Sequence, residues 1–163
     1  MSTAATNKKV IAITGASSGI GKETAKQLVN NGFNVALLAR SEDKLRALVE
    51  EFGNDVAFAV KADVSDFKDV DTAFKKVSEH FGRIDGIFAN AGRGAKAAGI
   101  EKGDVDDWDG MLGANVNGLL YTAKAGLPYL RDTQGHFIIT SSVAGRIALK
   151  GSVYGASKWF AYG

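Results

Sequence analysis

The chain has 163 residues, a length that fits one domain. Apolar residues make up 45% and charged ones 23%, ordinary globular usage that excludes a disordered tail or a low-complexity array. A formal net charge of +2 excludes a nucleic-acid binder built on a basic face, and the lack of cysteine excludes disulfides, thiolate metal sites and a cysteine nucleophile. The first nine residues carry no apolar core for a signal peptide, and Ser2 stands where myristoylation needs glycine. Every apolar run is far shorter than the ~20 residues of a membrane helix. The composition predicts a cytoplasmic protein with neither a membrane nor a nucleic-acid partner.

Short apolar runs alternate with stretches of helical period. Val10, Ile11, Ala12 and Ile13 read as a first strand, followed by a glycine-rich turn over 14–21 and a helix from near Lys22 to about Asn31, with Gly32 ending it in a left-handed turn. Residues 34–39 read as a second strand, and Ser41 caps a helix with Glu42 and Asp43 in its first turn. A third strand covers 56–60. Ser65 then caps a helix whose apolar positions Phe67, Val70, Phe74 and Val77 keep three-to-four spacing, and Gly82 closes it.

A fourth strand is predicted over 84–89, then a glycine-rich loop over 92–103 and one long helix over about 106–130, bent near Pro128. The fifth strand spans 136–140 and a last helix starts near Val153, with Trp159, Phe160, Ala161, Tyr162 and Gly163 still inside it. Strands that are continuous apolar runs suit a sheet covered on both faces. Five alternations of strand and helix predict an α/β fold of the Rossmann type, a doubly wound parallel sheet in a single domain over 1–163.

The turn after the first strand reads Thr14-Gly15-Ala16-Ser17-Ser18-Gly19-Ile20-Gly21. Glycines at 15, 19 and 21 clear side chains from a sharp strand-to-helix turn, so that a pyrophosphate can sit against the unpaired N–H groups of a helix start. The spacing G-x-x-x-G-x-G departs from the more widespread G-x-G-x-x-G.

That motif resembles the cofactor fingerprint of the short-chain dehydrogenase/reductase family, and further family motifs follow in order. Asp63-Val64 follows the third strand, where the family contacts adenine. Asn90-Ala91-Gly92 follows the fourth, resembling the family's Asn-Asn-Ala-Gly with Ala89 in its first place. Asn115 lies seven residues after Trp108, like the family's helix asparagine. Ser142 opens Ser-Val-Ala-Gly, and Tyr154 and Lys158 form Tyr-x-x-x-Lys. The resemblance covers residues 9 to 163. It implies strand order 3-2-1-4-5, with further strands and a longer final helix in complete members, so that this chain is expected to be C-terminally incomplete and nearly inactive by itself. It also implies a homodimer or homotetramer of the full-length form.

For the cofactor, the resemblance assigns Gly15, Ser17, Ser18, Gly19, Ile20, Gly21, Arg40, Ser41, Asp63, Val64, Asn90, Ala91, Gly92, Tyr154 and Lys158 to binding. The tip of the second strand decides between NAD and NADP. An acid there would hydrogen-bond the adenine ribose and repel a 2′-phosphate. Here Ala39 is followed by Arg40 and Ser41, a guanidinium and a hydroxyl that suit a phosphate, so NADP(H) is favoured over NAD(H). The second basic residue that some NADP-preferring members carry is replaced by Ser18.

Tyr-x-x-x-Lys is too short to carry weight without its structural context. At i, i+4 on a helix both side chains share a face, and a neighbouring ammonium favours the phenolate. By resemblance, Tyr154 is the general acid/base for interconverting a carbonyl and a secondary alcohol. Ser142, rather than Ser141, holds the substrate oxygen, Lys158 also holds the nicotinamide ribose, and Asn115 supports a water leading to Lys158. No metal is expected: Asp104, Asp106, Asp107 and Asp109 cluster at a helix start, where they complement its dipole. His80 and His136 are read as structural, and Trp108, Trp159 and Phe160 as packing or subunit-contact residues. The rival readings are a nucleotide-binding protein without turnover and an inactive fragment of an enzyme.

Overall fold

A computed structural model describes residues 7–97, 99–149 and 152–163. The first six residues, Ser2 among them, together with Ala98, Lys150 and Gly151, lie outside the described residues, so the expectations for the amino terminus are not addressed by it.

Five strands alternate with helices in chain order: β1 (Val10–Thr14), α1 (Gly19–Asn30), β2 (Asn34–Ala39), α2 (Glu42–Phe52), β3 (Ala57–Lys61), α3 (Phe67–Phe81) and β4 (Gly86–Ala89). Then come α4 (Val105–Leu112), a π turn (Gly113–Asn117), α5 (Gly118–Thr133), β5 (His136–Ile139), a 3-10 turn (Val143–Gly145) and α6 (Val153–Phe160). All strand pairs are parallel and the sheet order is β3-β2-β1-β4-β5, as expected. Ile13 of β1 lies between Leu37 of β2 and Phe88 of β4, which fixes the central register.

Alternating side chains feed two cores. Val10, Ala12, Ala36, Leu38 and Ile87 pack with Val70, Phe74, Val77, Ala125 and Leu130, the inner faces of α3 and α5. Ile13, Val35, Leu37 and Ala57 pack on the other side with Ala25, Leu45 and Leu48 of α1 and α2. Each face of the sheet therefore has its own helix pair, which explains why the strands carry unbroken apolar runs.

The seam between β1 and β4 holds a buried carboxylate. Asp85 accepts from the Val10 amide at 2.9 Å and from Arg83 Nε and Nη2 at 2.9 and 2.5 Å. Burial alone would raise its pKa, but the guanidinium and the amide outweigh burial and hold it below the usual carboxylate range.

Local details differ from expectation in several places. Helix α1 starts at Gly19 rather than near Lys22, because Ser18 already adopts the extended cap conformation. Asp66, not Ser65, caps α3 by accepting from the Lys68 and Asp69 amides; Ser65 instead gives its amide and hydroxyl to Asp63. Ser41 occupies the cap position of α2 without a side-chain capping bond. The single long helix is interrupted by the π turn, while Pro128 lies inside α5, which runs on to Thr133. Gly32 and Gly82 do follow α1 and α3 with positive φ. Helix α6 ends at Phe160, and the Tyr162 and Gly163 amides fold back onto the Trp159 carbonyl.

Candidate active site

The carboxyl ends of the parallel strands open into one cleft of about 740 Å³. Its walls include Gly15, Ser17, Ser18, Ile20, Arg40, Ser41, Asp63, Val64, Asn90, Ala91 and Gly92, and at the far end Ser142, Tyr154 and Lys158. Residues predicted from five separate motifs thus meet along one groove. Gly19, Gly21 and Asn115 do not line it: the glycines shape the turn, and Asn115 is buried behind the wall.

The glycine turn is held by contacts no side chain would permit. A Cβ at Gly21 would stand 2.5 Å from the Gly15 carbonyl oxygen, and one at Gly15 would stand 2.9 Å from Ala91 Cα. The backbone of the turn therefore presses against the end of β4, leaving the start of α1 clear toward the cleft, a cradle that suits a dinucleotide pyrophosphate. Thr14 locks this closure: its hydroxyl oxygen accepts from the Asn90 and Ala91 amides, both at 3.1 Å. Asn90 returns a bond from Nδ2 to the Thr14 carbonyl and accepts from Thr140 Oγ1 at 3.0 Å. The Asn90 side chain is thus engaged in tying β1, β4 and β5 together.

At the adenine end, the Arg40 side chain is 74% exposed and its Nη1 lies 3.8 Å from Asp63 Oδ2. Burial would raise the Asp63 pKa, but the Ser65 hydroxyl and amide, with Arg40, lower it below the ordinary value. An exposed guanidinium at the rim, held only loosely by Asp63, with Ser41 following it in the chain and Ala39 at the strand tip, offers charge for a phosphate.

The chemical end is assembled by backbone contacts around Lys158. Its Nζ donates to the Thr140 carbonyl at 3.0 Å and lies 6.0 Å from the Tyr154 ring centroid, as i, i+4 spacing on α6 requires. Gly145 lets the 3-10 turn sit directly on α6, since a Cβ there would be 2.4 Å from the Lys158 carbonyl oxygen. The two candidate serines separate here. Ser141 Oγ donates to that same carbonyl at 2.9 Å, whereas Ser142 starts the 3-10 turn and accepts from the Ala144 amide at 3.2 Å.

Asn115 sits in the π turn, buried, and makes no direct bond to Lys158. Its Oδ1 accepts from the Arg93 amide and its Nδ2 donates to the Arg93 carbonyl, both at 2.9 Å, and to Ser157 Oγ at 3.0 Å. Gly92 lies between them: a Cβ there would come 2.9 Å from Asn115 Oδ1 and 3.4 Å from Lys158 Nζ.

The remaining polar residues find ordinary partners. Among the described residues no group of three His, Cys, Asp or Glu side chains converges as a metal site would need. Asp104 caps α4 and Asp106 lies in its first turn, but Asp107 departs from the dipole reading: it is buried and paired with Arg93 at 2.6 Å. His80 stacks on Phe58 at 4.0 Å, where burial lowers its pKa, and His136 opens β5 at the surface. Trp108 packs over Gly103, where a Cβ would collide with its ring. Trp159 and Phe160 are exposed. Sequence reasoning missed Thr140, Ser157 and the Arg93–Asp107 pair, because each acts through a contact distant in the chain.

A parallel sheet with a glycine turn at its switch point and a Tyr–Lys helix beside it belongs to the doubly wound folds that bind dinucleotides at that point. The sequence profile of the short chain dehydrogenase family matches residues 9–163, and the chain belongs to that family. Oxidoreductase BOA17 of Botryotinia fuckeliana is 42% identical over 93% of this chain and 56% of its own length. An uncharacterised oxidoreductase of Staphylococcus saprophyticus is 40% identical over 93% of this chain and 62% of its own. The chain therefore spans less than two thirds of either relative. Among solved structures, an alcohol dehydrogenase of Thermococcus sibiricus complexed with 5-hydroxy-NADP superposes with a TM-score of 0.89 at 36% identity, covering 95% of this chain and 67% of that one. A short chain dehydrogenase/reductase of Burkholderia phymatum in complex with NAD gives 0.88 at 29% identity, covering 94% and 56%. No helix among the described residues is long and apolar enough to cross a membrane.

Proposed function

We propose that the protein is an NADP(H)-dependent oxidoreductase that interconverts a carbonyl compound and a secondary alcohol. The observation that carries this reading is the single cleft lined at one end by Arg40 and the glycine turn and at the other by Ser142, Tyr154 and Lys158. NADPH, when bound, supplies the hydride that a carbonyl carbon accepts. Tyr154 gives its phenolic proton to the carbonyl oxygen in reduction and takes it from the hydroxyl in oxidation. Lys158, fixed on the Thr140 carbonyl, places an ammonium beside the phenol and stabilises the charge left on its oxygen. Ser142 hydrogen-bonds the substrate oxygen and orients it. Ser141, engaged with the Lys158 carbonyl, supports the helix instead.

The cofactor choice rests on Arg40. A charge-assisted bond between guanidinium and phosphate favours the phosphorylated dinucleotide, and the neutral Ala39 offers no acid to the ribose diol of NAD. The glycine turn, Asp63-Val64 and Asn90-Ala91-Gly92 are proposed to hold the rest of the dinucleotide. The test, made with a form extended to the length of the family's complete members, is oxidation of NADPH and of NADH with a panel of simple ketones and aldehydes. Turnover with NADPH and little with NADH is expected; carbonyl-independent binding without turnover would favour a binding-only protein.

A further inference from the structure

The loop that leaves β4 is held by an ion pair outside every motif used so far. Arg93 Nη1 donates to Asp107 Oδ1 at 2.6 Å and Nη2 donates to the Asp107 carbonyl at 2.7 Å. The second Asp107 oxygen accepts from the Lys96 amide at 2.7 Å, and Asp107 is only 4% exposed. That amide and the guanidinium hold its carboxyl below the usual range. Gly110, one turn further along α4, leaves space for the guanidinium: a Cβ there would stand 2.9 Å from Nη2.

The same arginine is gripped from the opposite side through its backbone. Asn115 binds both its amide and its carbonyl, then passes a bond from Nδ2 to Ser157 Oγ. Ser157 Oγ in turn donates to the Tyr154 carbonyl at 2.8 Å. One uninterrupted path of hydrogen bonds thus runs from α4 through the loop and the π turn into the first turn of α6.

We infer that Arg93 and Asp107 are positioning residues, a clamp that sets the α4 wall of the cleft and, through Asn115 and Ser157, the seat of Tyr154. This rests on the reading of the cleft as a carbonyl/alcohol site and adds to it the means by which the Tyr helix is registered against the loop. Neither residue touches the reacting atoms. The Arg93 side chain is 34% exposed and lines the groove, while its charge is satisfied behind the wall. A buried carboxylate that lost its guanidinium would have to find another partner or pull the loop with it. Small displacements of a proton donor are costly in rate.

The experiment, in a form extended to the length of the family's complete members, compares Arg93→Met, Asp107→Asn, the double variant and the conservative Arg93→Lys, measuring kcat, KM for a carbonyl substrate, NADPH dissociation constant, melting temperature and amide hydrogen exchange. The single variants Arg93→Met and Asp107→Asn are expected to lose at least tenfold in kcat, with the NADPH dissociation constant within twofold of the parent. The double variant, having no unpaired charge, regains most of the melting temperature but not kcat, and Arg93→Lys falls between. Exchange rises over 93–97 and also over 153–160, with the peptides of β1, β2 and β3 unchanged. A double variant that recovers kcat together with its melting temperature, or loosening confined to 93–97, would overturn the inference. A parent that reduces no carbonyl with NADPH would sink the site reading instead, and the exchange arm would still decide the clamp.

Discussion

Strands β2 and β5 carry similar apolar runs and meet opposite fates. All six residues of β2 are buried, flanked by β1 and β3 and covered by helices on both faces. Strand β5 pairs with β4 alone among the described residues; Phe137 packs toward α3 and α5, while Ile138 and Ile139 stay 58% and 41% exposed. The difference lies in the neighbours each strand receives, not in its composition. The cleft straddles this divide. Its cofactor-facing turn grows from the closed half of the sheet, and Ser142, Tyr154 and Lys158 follow the open strand. The two halves are stitched by Thr14, Asn90 and Thr140 at the top of the sheet and by Asp85 at its base.

Substitutions in the two halves test this contrast directly. Phe74→Ala empties a fully buried ring position in the closed core and is expected to cost about 3–5 kcal/mol, read from chemical denaturation. A loss below about 1 kcal/mol would mean that core is far more plastic than its packing implies.

The stitching at the base comes next. Asp85→Asn leaves the Val10 amide and the Arg83 guanidinium poorly matched, at a cost of about 1–3 kcal/mol at neutral pH. Because the folded carboxyl titrates below its unfolded value of about 4, its contribution is complete above that value and fades as the pH falls through the folded one. Melting curves of parent and variant should therefore stand furthest apart near neutrality and converge in acid. A gap that widened on acidification would have the sign wrong.

At the cofactor rim, Arg40→Asp should reduce NADPH affinity by about tenfold or more, the scale of a bond to a charged group, while sparing NADH. Fluorescence titration of both dinucleotides decides it, and equal affinities in the parent would remove the basis for NADP preference. Smallest of all, Ile138→Ala on the open strand should change stability by less than about 1 kcal/mol, since little of the side chain leaves water on folding.

The order of strands and helices was legible because burial on both faces writes itself as apolar runs, and the glycine turn because a close backbone approach leaves no room for side chains. Other features were hidden for identifiable reasons. The π turn answers to the placement of Asn115 against the Arg93 backbone, a contact 22 residues distant with no local signature. Asp66 and Ser65 are both good capping residues, and the choice falls to Asp66 because Asp63 claims the serine. The apolar run of β5 reads like that of β2, and its place at the edge was legible only through the strand order 3-2-1-4-5 that the resemblance implies. The pairing of Asp107 with Arg93 joins an unremarkable acid of a helix start to a loop arginine, which no spacing rule links.

The most direct measurement uses Tyr154→Phe in a form extended to the length of the family's complete members, assayed for NADPH-dependent carbonyl reduction and for NADPH binding in the same preparation as the parent. Removing the hydroxyl alone should lower turnover by about 100-fold or more, the scale of a lost general acid, with the NADPH dissociation constant nearly unchanged. Turnover that survived the loss of the phenol in a parent that is active would contradict the assignment of Tyr154 as the proton donor, and with it the chemistry ascribed to this cleft.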